Sequence, residues 1–139
     1  MNDIGLTHIA LQVTNMDRSL EFYKRYASME TVHERRVKDS GVRVVWISDR
    51  TRPFVIVLIE SETIDAVLKP FAHLGIGVAD RAEVDRLCAI AKAEGTLVEG
   101  PTDSGYPVGY WAFISDPDGH TLEVAFGQEV ALTVAGSED

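Results

Sequence analysis

His8 and His73 stand 65 residues apart, and so do Trp46 and Trp111. Two matched pairs of uncommon residues at one spacing mark an internal duplication, which restricts the chain to folds assembled from two copies of one unit. The periodicity agrees. In the first half LTHIALQV (6–13) alternates as a strand, and NMDRSLEFYKRYA (15–27) then places Leu20, Tyr23 and Tyr26 or Ala27 at helical spacing. TVHERRV, VRVVWIS and PFVIVLIE follow as strands, separated by the turn-forming DSG and DRTRP. The second half repeats the order: FAHLGIGV (71–78) as strand, RAEVDRLCAIAKAEG (81–95) as a helix closed by Gly95, then TLVEG, GYWAFIS and HTLEVAF. Each half reads β-α-β-β-β. The expected fold is α+β, one domain over 1–139 built from tandem modules at about 4–60 and about 71–127. The connector SETIDAVLKP (61–70) is expected to hold a short helical turn. The small, acidic tail beyond Gln128, within 128–139, is expected to be an edge segment or frayed.

The chain of 139 residues is 45% hydrophobic, enough for a core of its own. A net charge of −9 and a pI near 4.8 argue against nucleic acid or an anionic membrane as partner, because both demand clustered Lys and Arg. No apolar run approaches a membrane helix, and MNDIGLTH lacks the character of a secretory signal, so a cytoplasmic protein is expected. Cys88 has no cysteine to pair with and falls in helical register with Val84, Leu87 and Ala91, the pattern of a small core residue.

Side chains alternate across a strand, so parity assigns faces. Ile9, Leu11 and Val13 then turn toward the helices, as do Leu74, Ile76 and Val78, and Leu122, Val124 and Phe126. The opposite face receives His8, His73 and Glu123, among small neighbours (Ala10, Gly75, Gly77, Ala125) that leave room for something else. A single strand histidine is commonly a hydrogen-bonded surface residue. Two at equivalent positions of a duplicated module, with a carboxylate on the same inferred face, form a ligand set for a divalent cation: iron, nickel, zinc or manganese. Three protein ligands leave open positions, which is the character of a catalytic site. His120 reads as a turn residue after DPDG, and His33 as a strand residue near the surface.

THIALQV, DRSLEFYKR, AHLGIGV and ISDPDGHTLEV together resemble the vicinal oxygen chelate superfamily, which includes glyoxalase I, fosfomycin-resistance proteins, extradiol dioxygenases and metal-free bleomycin-binding proteins. The resemblance covers nearly the whole chain. It implies an open, cupped sheet of eight strands with helices outside, a metal held by His8, His73 and Glu123, a small-molecule substrate bound through two adjacent oxygens, and a homodimer. It implies glyoxalase-like lyase or isomerase chemistry, with an Fe(II) extradiol dioxygenase or a metal-free binding protein as alternatives. At the position where glyoxalase-like members carry a further carboxylate, the repeat offset falls on the apolar Leu58 or Ile56; Glu60, two residues on, is the substitute base or ligand if the strand is shifted. Reading DPDG as a four-residue loop pairs Ser115 with His120, sets Ala112 opposite Glu123, and turns Tyr110 into the cup with Trp111 and Phe113 toward the helices. The same construction around DRTR sets Arg43 opposite Leu58 and Trp46 beneath the cup. Tyr110 and Arg43 are thus candidate substrate-binding residues, and SGYPVG (104–109) a loop at the mouth.

Overall fold

Asn15 and Asp80 start the two long helices by accepting the backbone N–H three residues on, Arg18 at 3.1 Å and Glu83 at 2.8 Å. The computed structural model describes residues 3–136. It divides into two compact units, Met1–Val67 and Leu68–Asp139, with the boundary inside the connector. In the first unit β1 (His8–Val13) leads into α1 (Met16–Ala27), then β2 (Glu30–Arg36), β3 (Arg43–Ser48) and β4 (Val55–Glu60). In the second, β5 (Leu74–Gly77) leads into α2 (Arg81–Glu94), then β6 (Leu97–Asp103), β7 (Tyr110–Ser115) and β8 (Thr121–Phe126).

The two units have one topology. Each forms a four-stranded sheet, ordered β1-β4-β3-β2 and β5-β8-β7-β6, in which the first strand lies parallel to the last and the others are antiparallel. A parallel pairing of first and last strand needs a long crossover, and the helix with two further strands supplies it. α2 ends where Gly95 takes φ +77 and its N–H returns to the carbonyls of Ala91 and Lys92, a left-handed cap that suits glycine.

One face of each sheet is apolar and closed. In the first, Leu11, Val13, Val45, Ile47, Ile56 and Leu58 are buried; in the second, Ala112, Ile114, Leu122 and Val124 are wholly so. Each large aliphatic side chain there contributes on the order of 1.5–3 kcal/mol by leaving water. Cys88 belongs to this core with Val84, Leu87 and Ala91, and burial, followed by the charge of Asp85, pushes its thiol up. Thiolate is the reactive form, so Cys88 should react with a disulfide reagent at neutral pH at least about tenfold more slowly in the native protein than in urea, as a colorimetric thiol assay would record.

Two regions depart from the sequence reading. The connector 61–70 has bends but no helical turn; the Asp65 N–H binds the Gln12 side-chain oxygen at 2.7 Å, and Gln12 Nε2 donates to the Asp65 carboxylate at 3.2 Å. These bonds satisfy the backbone from outside the segment, so it needs no helix. The tail, in place of an edge or frayed segment, forms a third helix among the described residues, α3 (Val130–Gly136), with no buried residue. The Thr133 N–H and hydroxyl both donate to the Glu129 carbonyl in its first turn. Residues 137–139 of the expected tail lie outside the described residues.

Candidate metal centre

His73 sits one residue ahead of β5, and its ring is held from two sides. Nδ1 lies 2.9 Å from the Pro70 carbonyl oxygen, and the ring packs 4.8 Å from that of Phe113. A carbonyl can only accept, so Nδ1 carries the hydrogen. In the neutral imidazole that leaves Nε2 with its lone pair, the form a metal takes. The arrangement is that of a ligating histidine oriented by a backbone carbonyl. His8 opens β1 with an exposed ring whose Nδ1 lies 2.9 Å from the Thr7 hydroxyl.

Glu123 lies in the middle of β8 and is only 8% exposed. It pairs in register with Gly75, so it shares the face that His73 occupies two residues before that glycine. A methyl group at position 75 would stand 3.4 Å from Glu123 Oε2, so the glycine keeps the space beside the carboxylate clear. Gln128 Nε2 donates to the same oxygen at 3.2 Å. The second unit thus presents one oriented imidazole and one buried carboxylate on adjacent strands of one face. His8 belongs to the first unit. Among the described residues, no three His, Cys, Asp or Glu side chains are gathered closely enough to hold a cation. The donor types nonetheless fit a first-row divalent ion.

The other sequence candidates lie elsewhere. Ser115 pairs with Thr121, not His120, so the β7–β8 hairpin encloses five residues. One residue of slip reverses every face: Phe113 lies opposite Glu123 and Trp111 opposite Ala125, while Ala112 and Ile114 join the core. Tyr110 turns away from Glu123. Its hydroxyl donates to Asp85 of α2, which raises the phenol's pKa, and the Arg81 guanidinium lies 3.8 Å above its ring. Arg43 is likewise displaced. Val45, not Arg43, pairs with Leu58, and Leu58 lies in the core. Arg43 shares the parity of Val45 and is bound by Asp17 of α1 and Glu34, which push the guanidinium pKa up further.

The same register corrects the position equivalent to Glu123. Ala10, the counterpart of Gly75, pairs with Val57, so Val57 and neither Leu58 nor Ile56 is the match. Glu60 pairs with Val13, five residues along β4 from the Val55 that faces His8, roughly 16 Å away, and has the parity of buried Leu58. The first sheet therefore does not bring Glu60 to His8. Parity instead puts Trp46 and His33 on the His8 face: Trp46 pairs with Val57, stays 37% exposed, and lies 4.9 Å from the His33 ring. From sequence, Trp46 falls beneath the cup because Leu58 instead of Val57 is matched to Glu123, and His33 is hidden by a bulge between Thr31 and His33 that changes the register of β2. His120 closes the loop after DPDG as expected, yet it is wholly buried, and its Nδ1 accepts the Leu68 N–H at 3.1 Å.

The sequence matches the Glyoxalase/Bleomycin resistance protein/Dioxygenase superfamily over residues 5–124. The chain belongs to this superfamily. It is similar to the Pseudomonas aeruginosa protein named "Uncharacterized protein PA2024", 34% identical over 126 residues that cover 88% of this chain and 89% of that one. It is also similar to the lactoylglutathione lyase of Neisseria meningitidis serogroup B, at 28% identity over 85% of this chain and 87% of that protein. Among solved structures the trypanothione-dependent glyoxalase I of Leishmania major has the same fold, with a TM-score of 0.72, 22% identity, and coverage of 98% and 95%. Two βαβββ units are what this superfamily member shares with that structure. Among the described residues no helix is long and apolar enough to cross a membrane.

Proposed function

We propose that this superfamily member is a metal-dependent lyase or isomerase of the glyoxalase type, acting on a small substrate with two adjacent oxygens, and that His8, His73 and Glu123 are its metal ligands. The observation that carries the reading is the His73 tautomer: a backbone carbonyl commits Nδ1 as donor and turns Nε2 out as a base on the face that holds Glu123. A divalent ion there would polarise the substrate oxygens and stabilise charge developing on them. Glu123 supplies the negative charge that offsets part of the ion's, and Gln128 holds one of its oxygens. The proton that moves between neighbouring carbons in an isomerisation needs a carboxylate at the same face, and the proposal assigns it to Glu123 and not to Glu60. The relatives' name, lactoylglutathione lyase, supports a hemithioacetal as the first substrate to offer.

Activity on the hemithioacetal of methylglyoxal with a thiol, measured after loading with nickel, manganese, iron or zinc, tests the reading. No turnover with any of the four would end it. Glu60→Ala is expected to keep metal content and kcat/KM within about twofold of the parent, since a residue outside the site leaves transition-state binding untouched. A loss of a hundredfold would restore Glu60 as the base. The placement of His33 beside Trp46 on the His8 face supports a second reading, an Fe(II) dioxygenase with His33 as its acid-base group. Oxygen uptake with a catechol by the iron-loaded protein, abolished in His33→Ala, would favour it.

A further inference from the structure

We propose that Gln128 is a positioning residue that orients the Glu123 carboxylate for the metal and ties that ligand to the 104–109 loop. The inference rests on the metal reading above, and three observations carry it. First, Gly127 takes φ +76 immediately after β8, so the chain folds back and Gln128 returns to a side chain five residues earlier in sequence. Second, Gln128 Nε2 faces two oxygens, Glu123 Oε2 at 3.2 Å and the Val108 carbonyl at 3.3 Å. A primary amide has two hydrogens on that nitrogen, one for each acceptor; the flipped amide would set its own oxygen against both. The hydrogen-bond network therefore selects one orientation.

Third, the loop is seated where Gln128 can reach it. Gly109 takes φ +87, and a Cβ there would lie 2.4 Å from the Phe126 carbonyl oxygen and 2.9 Å from Gln128 N, so only glycine lets the two backbones approach so closely. The Glu129 N–H donates to the Pro107 carbonyl at 2.9 Å, and Trp111 Nε1 donates to the Ser104 hydroxyl at 2.9 Å. The loop is thus fastened at both ends around the amide. With Oε2 engaged, Oε1 is the oxygen that the proposal gives to the cation. Partners of this kind, outside the ligands themselves, typically change metal affinity 10–100-fold.

The test compares parent, Gln128→Met and Gln128→Leu, each stripped of metal and titrated with cobalt(II) alone while the visible ligand-field spectrum is recorded. Methionine keeps the length and packing of glutamine and lacks the donors; leucine guards against a special effect of sulfur. Both variants are expected to bind cobalt at least about tenfold more weakly and with shifted absorption bands, beside a modest fall in the metal-free unfolding midpoint from the lost bonds to Glu123 and Val108. Parent-like affinity and bands in both variants would overturn the inference. So would a lowered metal-free midpoint with an unchanged spectrum, because Gln128 would then serve only the loop. Failure of the parent itself to bind cobalt would strike the metal reading first, and is told apart because it appears without any substitution.

Discussion

Glu123→Ala is expected to reduce bound metal from near one ion per chain to near none, and kcat/KM on a hemithioacetal by about a thousandfold, while the metal-free protein stays as stable as the parent or gains. The first part follows from the ligand count: with three protein donors, loss of the one anion leaves two neutral imidazoles and no charge to offset the cation. The rate effect is the loss of charge stabilisation in the transition state, several kcal/mol for a Lewis acid, of which about 4 kcal/mol corresponds to three powers of ten. The stability part separates a ligand from a structural carboxylate. Glu123 is 8% exposed in a strand whose neighbours are aliphatic, and Gln128 is its hydrogen-bonding partner, so in the absence of metal its charge costs free energy. Its removal relieves that cost. Exposed His73 offers a second route to the same point, since His73→Ala should lose the metal with almost no change in metal-free stability. Added metal at a thousand times its dissociation constant should stabilise the parent by about 4 kcal/mol and neither variant. Elemental analysis, steady-state kinetics and urea titration with and without metal read all three quantities. A Glu123→Ala protein that keeps its metal, or that is strongly destabilised without it, would contradict the assignment.

The duplication made most of the fold legible. The repeated spacing of His8/His73 and Trp46/Trp111 announces two modules, the helix ends lie at Asn15, Asp80 and Gly95 where residue chemistry puts them, and alternation assigns β1, β5 and β8 to their faces. The faces of β3 and β7 were not legible, for a physical reason. VVWIS and YWAFIS are apolar on both parities, so hydrophobicity does not say which side is core, and the faces had to be inferred from hairpin length. That length is decided by hydrogen bonds invisible in a residue pattern. DPDG has the composition of a four-residue loop, yet the loop takes in His120 as well. The consequence fell on the site: Phe113 took the face that the shorter loop would have given to Tyr110, while Trp46 took the one expected of Arg43 because Val57, not Leu58, is the match to Glu123. Gln128 was hidden differently. Nothing marks a glutamine after a glycine until the chain reversal at Gly127 brings it onto Glu123.

The residue that decides the β7–β8 register is Asp116, and Asp116→Ala is expected to cost about 2–4 kcal/mol of stability. Its carboxylate is 3% exposed and accepts two backbone N–H groups through Oδ1, from Asp118 at 2.8 Å and from His120 at 2.9 Å. Its own N–H donates to the His120 carbonyl at 2.8 Å, which closes the loop one residue later than DPDG suggests. Hydrogen bonds to a charged acceptor contribute about 1.5–3 kcal/mol, and the His120 N–H lies in a buried setting where a lost partner is not replaced by water. The loss spreads because His120 is wholly buried and joined to Leu68, whose carbonyl in turn receives the Thr121 N–H at the start of β8. Asp116→Asn keeps one acceptor oxygen in the same place and should recover about half of the deficit. Urea titration should show the midpoint falling at an unchanged slope if the native register survives in the alanine variant. A one-residue slip of β8 to the four-residue hairpin would instead turn Glu123 toward the apolar core, onto the face that Tyr110 already shares with Ala112 and Ile114. Such a slip would abolish metal binding in a protein that still folds, whereas simple destabilisation would leave metal binding intact below the unfolding transition. Asp116→Ala at parent stability would mean that the strand pairs β5–β8 and β7–β8 hold the register unaided.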